Sequence, residues 1–482
     1  MAIGLVFCLV ALLISEFLPE GLVASSGMLL ANLAVLVSAS IAAYRAFSVK
    51  TLSGFCHGIV FVSFALTYPL SGVIHLLRPI SEYRGFFDLI SDIFIHPDLI
   101  GCSTVLSALA LSALWFGMNR GGSPAGLRAP IRFSPVLLLT LGFFFLTSGA
   151  MANVALFGSI EAVFRGLTAI DHSTDFGDGS ARYYFISRWF AWGASLIATY
   201  VLLRLKNPKP WKISAATLIS AAAALANTFW RGGRSEGLMA VLPLILMTFR
   251  LHPVASKQSI RAIGMMLLFY VVSITLLRGR GDIASPITDI FDWHAGRFSM
   301  VGLGLEMAGN YGHDWGLTML APLLQTLNAP FYLLRLQEPF PVPYAITNLT
   351  GLYLLGDHTR TGIVPGSICE LLYSFGIVGV PVGYYLLGRM VAFTSRHAEF
   401  GGTVGGTMAA FYVITLVCTG IIPGTMTTWV YYLVTLGFPC IFLWALELTG
   451  VFGLIRASNC CSRQPSGNTK AGGGLKKQTG FG

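Results

Sequence analysis

Apolar residues gather along this chain in runs of about 17 to 25 positions, the length a helix needs to cross a hydrocarbon bilayer, with short polar breaks between them. About twelve such runs are predicted as spans. They are Ala2 to Phe17, Gly27 to Tyr44, Phe55 to His75, Leu99 to Met118, Pro135 to Phe157, Phe185 to Leu205, Ile213 to Trp230, Leu238 to Phe249, Ile263 to Leu277, Gly366 to Val391, Val404 to Ile422 and Trp429 to Phe452. The first run has no basic leader and no small-residue cleavage site, so it reads as a retained helix rather than a signal peptide. The pattern predicts an all-α polytopic membrane protein. Residues 1–455 form its single transmembrane domain, and 456–482 a disordered cytoplasmic tail rich in Gly, Ser, Lys and Gln.

Composition agrees: 55% of residues are hydrophobic, 11% are charged and the mean hydropathy is +0.71. That balance excludes a soluble domain, which carries about 25% charged residues. Charge adds orientation. With the N-terminus in the cytoplasm, all eight lysines fall on the inner side: Lys50, Lys206, Lys209, Lys212, Lys257, Lys470, Lys476 and Lys477. Arg120, Arg128, Arg132, Arg250, Arg261, Arg389 and Arg396 join them, and most acidic residues lie outside. The net charge of +10 then meets anionic headgroups and calls for no nucleic acid. Six cysteines lie in spans and Cys460 and Cys461 in the tail, which suggests neither a disulfide framework nor a Cys-based metal site.

One outer segment, 278–365, is far longer than the other loops. Its Trp293, Trp315, Phe331, Tyr332, Tyr344 and Tyr353 predict a folded, partly helical cap on the bundle. The helical apolar spacing falls over Ile290 to Tyr311 and Trp315 to Leu327.

The outer side carries no lysine but many arginines, whose planar fork binds phosphate oxygens bidentately. The densest group is Trp230-Arg231-Gly232-Gly233-Arg234-Ser235-Glu236-Gly237, a turn between two apolar spans. Arg278-Gly279-Arg280-Gly281-Asp282 repeats that chemistry at the top of the ninth span. Two arginine-glycine turns at matching depth would make a pocket for a diphosphate, with Arg297 and Arg360 as further donors. Pairing with nearby acids, Glu236 with Arg234 for example, is the plainer reading of the same residues. His358, His313 and His294 are outer histidines suited to taking a proton from a sugar hydroxyl. Glu370 lies one turn inside an apolar helix, where a carboxylate serves either as a base or as a partner that orients an arginine.

The arginine turn 231–235 resembles the motif of bacterial oligosaccharide repeat-unit polymerases, the O-antigen polymerase (Wzy-like) group. So does Pro365-Gly366-Ser367-Ile368-Cys369-Glu370-Leu371-Leu372-Tyr373-Ser374-Phe375-Gly376, followed by Ile377-Val378-Gly379, and so does the late large outer loop. The resemblance implies a GT-C-like membrane glycosyltransferase in the bacterial inner membrane, acting on the outer face without metal or cofactor. It implies undecaprenyl-diphosphate-linked glycans as both donor and acceptor, and a chain-length regulator as a candidate partner. Under it, Arg231, Arg234, Arg278, Arg280, Arg297 and Arg360 hold the diphosphate. His358 or Glu370 is the base, with His313 a further candidate. The rival readings are an O-antigen ligase, which hands the glycan to a lipid A core, and a polysaccharide flippase or transporter.

Overall fold

The computed structural model describes residues 23–49, 51–77, 97–120, 130–157, 183, 186–205, 209–229, 234–253, 256–278, 298, 300–320, 349–350, 353, 365–425, 437–450 and 452–456. The expected first span, the motif residues 230–233 and 279–297, the stretch 354–364 and the tail beyond Arg456 lie outside them. Among the described residues the chain is mostly helical, with one two-stranded ladder.

The helices are α1 (Val23–Ser48), α2 (Leu52–Thr67), α3 (Pro69–Leu77), α4 (Pro97–Asn119), α5 (Pro135–Phe157), α6 (Trp189–Arg204), α7 (Pro210–Phe229), α8 (Arg234–Leu251) and α9 (Ser256–Arg278). They continue with α10 (Ser367–Phe400), α11 (Val404–Leu416), a π turn at Val417–Ile421 and α12 (Phe438–Leu448). Among the described residues six helical stretches are long and apolar enough to cross a membrane, and Gly237–Leu251 and Phe438–Leu448 are shorter apolar helices. The chain is therefore a membrane-embedded α-helical protein. Lipid-facing side chains such as Phe143, Met265, Phe269 and Phe393 are exposed, as expected where hydrocarbon replaces water as the solvent.

Side-chain contacts sort the helix ends into two rims. At one rim Phe55 of α2 stacks on Phe249 of α8 at 4.8 Å, Arg250 donates to the Ala398 carbonyl of α10 at 3.2 Å, and Ser259 of α9 meets Ser214 of α7 at 3.1 Å. A strand β1 (Arg132–Phe133) pairs there with β2 (Ile455–Arg456), and Arg132 N–H donates to Gly402 at 2.7 Å. Arg456, where the sequence reading starts the tail, thus belongs to a strand. Lys209, Lys212 and Lys257 all lie at this end. At the opposite rim Asn32 of α1 donates to Thr104 of α4 at 2.8 Å, and Asn153 of α5 donates to Asn227 of α7, which donates in turn to the Ser187 carbonyl at 3.1 Å.

Small residues let these helices approach closely, since van der Waals contact rather than water exclusion holds helices together in lipid. A Cβ at Gly388 of α10 would collide with the Leu114 carbonyl of α4, and one at Gly117 with the Tyr385 carbonyl. Replacing Gly388 by Leu forces α4 and α10 apart. A fall of several degrees in melting temperature of the detergent-purified protein is the expected result.

The tenth predicted span is where the structure departs most from the sequence pattern. Ser367–Phe400 is not one rod: Gly376 has φ 67 and ψ −165 and turns the chain back on itself. A straight helix would hold Ser367 and Tyr384 about 25 Å apart. Their hydroxyls lie 2.8 Å apart, and a Cβ at Gly383 would stand 2.6 Å from a Leu371 methyl. Residues 367–375 are therefore a re-entrant half-helix packed antiparallel against the arm 377–400. That arm alone gives about 36 Å of helix, enough for a hydrocarbon core of about 30 Å. The half-helix starts below the rim, where the Tyr68 hydroxyl meets Ser367 at 3.2 Å and donates to the Ile422 carbonyl at 2.9 Å, just past the π turn. From there it climbs to the tip at Gly376.

Candidate functional site

The tip of this helical hairpin is held by the described segment 300–320. Helical residues 300–311 run beside the half-helix, with Gly304 so near it that a Cβ would stand 2.7 Å from the Cys369 carbonyl. Phe298, Val301, Leu303 and Met307 are buried there, which welds this part of the loop into the bundle. The chain then turns through Gly312 (φ 77), Trp315 (φ 54) and Gly316 (φ 90). The Asp314 carboxylate stabilises the turn, accepting from Gly316 N–H at 3.1 Å and Thr318 N–H at 2.6 Å.

Turning back at Gly376 releases carbonyls that a continuing helix would have paired with later N–H groups. The loop satisfies two of them. His313 Nδ1 lies 2.8 Å from the Tyr373 carbonyl, and Trp315 N–H donates to the Ser374 carbonyl at 3.1 Å. A carbonyl only accepts, so Nδ1 carries the hydrogen, which leaves Nε2 as the ring nitrogen that can accept a proton. That edge lies over Gly376, where a Cβ would be 3.4 Å from Nε2. His313 is exposed and its ring is free to meet a ligand, a geometry suited to general-base work.

Glu370 lies one turn below Tyr373 on the same half-helix and is fully buried, its backbone N–H bonded to Gly366 at 3.2 Å. The structure thus brings two of the three predicted catalytic candidates to one hairpin, Glu370 within it and His313 on its tip, but of the two only His313 is exposed. His358, Arg231, Arg280, Arg297 and Arg360 lie outside the described residues. Arg234 opens α8 and Arg278 closes α9, and only their backbones are described. Gly237 packs on the Tyr270 ring, which makes α8 and α9 antiparallel neighbours. Counted from that contact, Arg234 and Arg278 both stand beyond it, toward the rim opposite the lysines. α8 also packs on α2, α11 and the π turn, the elements that meet the foot of the half-helix at Tyr68 and Ile422.

Beside His313 lies a polar aromatic group that sequence reasoning did not single out as functional. Asn310 donates to the Tyr353 hydroxyl at 2.9 Å, which donates to Glu306 at 3.3 Å. Burial and the Glu306 carboxylate push the Tyr353 phenol up, so it remains a donor. Tyr311 stands edge-on to Tyr353 at 5.9 Å, and Trp315 edge-on to His313 at 6.2 Å. Among the described residues no three His, Cys, Asp or Glu side chains gather as metal ligands. No protein-family model, no curated protein and no solved structure matches this chain.

Proposed function

We propose that this protein polymerises lipid-diphosphate-linked oligosaccharide repeat units at the rim opposite its lysines, the outer face of a bacterial inner membrane. The observation that carries the reading is His313. It is fixed in one tautomer and open to the outside, and the hairpin that holds it contains the Pro-Gly…Glu-Leu-Leu-Tyr…Phe-Gly stretch of the polymerase resemblance. In this reading the acceptor sugar hydroxyl gives its proton to His313 Nε2 as its oxygen bonds to the anomeric carbon of the donor glycan. The bond from that carbon to the diphosphate oxygen breaks, and the electron pair leaves with the lipid diphosphate. Arg231, Arg234, Arg278 and Arg280, with Arg297 and Arg360, stabilise the charge growing on that leaving group. Glu370, buried in the half-helix, positions the hairpin rather than taking the proton. No metal or cofactor is required by this scheme.

A placed outer histidine suits a ligase as well, so transfer of the finished glycan to lipid A core is the second reading. Cells deleted for the gene separate the two. A polymerase deletion accumulates single lipid-linked repeat units, whereas a ligase deletion accumulates long glycan still on its lipid carrier. A deletion that leaves both pools unchanged removes both readings and points to transport.

The arginine assignment has its own test. Arg234→Ala or Arg280→Ala should slow elongation by about 10- to 100-fold, with Lys rescuing only part of the loss because the fork is gone. Lys257→Ala, at the opposite rim, should leave turnover unchanged. Normal rates in both arginine variants, measured as initial elongation with lipid-linked repeat units, would remove the diphosphate pocket.

A further inference from the structure

Trp315 combines two unfavourable features that packing does not repay. It is 77% exposed, and with φ 54 it is the one non-glycine among the described residues in the left-handed region. A bulky side chain in that conformation is strained, and such strain gathers where a ligand or reacting group must be met. Two hydrogen bonds to Asp314 and one to Ser374 over-determine the turn, so the backbone leaves the indole little choice of direction. It points out beside the His313 imidazole.

From this we infer that Trp315 is the platform on which the acceptor sugar ring stacks, next to the base that takes its proton. This rests on the polymerase reading and names the acceptor subsite within it. The flat C–H face of a pyranose is apolar and slightly positive, and it packs on the negative face of an aromatic ring. The hydroxyls around the ring edge need acceptors and donors, which Asn310 and Glu306 provide on the Tyr311 side.

The other occupant for an exposed tryptophan in a membrane protein is the headgroup layer, where indoles anchor spans. Charge favours the sugar. Residues 298–320 contain no Lys or Arg and two carboxylates, Glu306 and Asp314, which repel anionic headgroups and hydrogen-bond neutral sugars. Leu317 and Val378, two residues past Trp315 and Gly376, are exposed apolar side chains on which the lipid end of a lipid-linked sugar would rest.

The test uses full-length protein in detergent and the lipid-linked repeat unit extracted from cells deleted for the gene. Initial elongation rates are measured against repeat-unit concentration for wild type and for Trp315→Tyr, Trp315→Leu and Trp315→Ala. Stacking predicts that Leu and Ala raise the half-saturating concentration by roughly tenfold while Tyr stays near wild type. Leu matching wild type while Ala alone fails would identify a lipid anchor and overturn the platform, as would three unaffected variants. Should the wild type itself not elongate, the polymerase reading fails on its own. The platform is then decided by titrating the same repeat unit against the fluorescence difference between wild type and Trp315→Leu. A saturable difference keeps the platform, and its absence ends it.

Discussion

His313→Asn is expected to lower the elongation rate by about 10²- to 10⁴-fold, the range that a general base contributes, without unfolding the protein. The substitution is chosen to separate two duties of one ring. An asparagine amide can still donate to the Tyr373 carbonyl, as Nδ1 does over 2.8 Å, so the turn at 312–318 keeps its anchor on the half-helix. What it lacks is a basic lone pair where Nε2 stood over Gly376. The pair of readouts is initial rate and melting temperature of the purified variant. Loss of rate at constant melting temperature assigns the chemistry to the imidazole. A wild-type rate would move the base elsewhere, with His358 next in line, and a fall in both would make His313 a structural pin.

Gly376→Val is expected to abolish elongation through the hairpin rather than through the chemistry. With φ 67 and ψ −165, Gly376 occupies a region that is essentially glycine-only, and a β-branched residue there costs on the order of 1–3 kcal/mol or more. The added Cβ would also stand 3.4 Å from His313 Nε2, in the space an acceptor hydroxyl needs. Released from its turn, the segment 367–376 can regain helical hydrogen bonds only by swinging away from the arm. A cysteine pair at Leu371 and Gly383, in a background with the native cysteines replaced, reads this directly. The pair should form a disulfide on mild oxidation when residue 376 is glycine and lose it with valine. Retention of both the crosslink and the rate in the valine variant would show that the fold-back does not depend on this glycine.

The helical, membrane-embedded class of the protein was legible because bilayer thickness imposes a length on apolar runs, and that signal is local. Alternation of lysine-bearing and lysine-free loops was also legible, and Lys209, Lys212 and Lys257 do share a rim. The re-entrant half-helix was not foreseen, although one signal existed. The tenth predicted span, Gly366 to Val391, carries Gly376 and Gly379 where a turn and a close approach are needed. A search by window length reads through such a turn, because hydropathy is blind to backbone dihedrals. Glu370 was recognised as a carboxylate one turn inside a helix, and the structure buries it there. His313 was a candidate only by its place in an outer loop. What fixes its tautomer is a carbonyl at Tyr373, brought to it by tertiary structure that local spacing does not encode. Trp315 was counted among the aromatics that argue for a folded loop, while its strained φ depends on contacts with Ser374 and Asp314 that no composition reveals. The diphosphate arginines rest on chemistry and chain position alone, since the side chains of Arg234 and Arg278 and the whole of Arg231, Arg280, Arg297 and Arg360 lie outside what the structure describes.

Polymerisation itself is tested most directly with purified protein in detergent, supplied only with lipid-diphosphate-linked repeat units and a chelator, without nucleotide sugar or lipid A. A ladder of lengthening glycans on a gel, lost in His313→Asn, is the expected result. An unchanged single band from protein that melts cooperatively would contradict it.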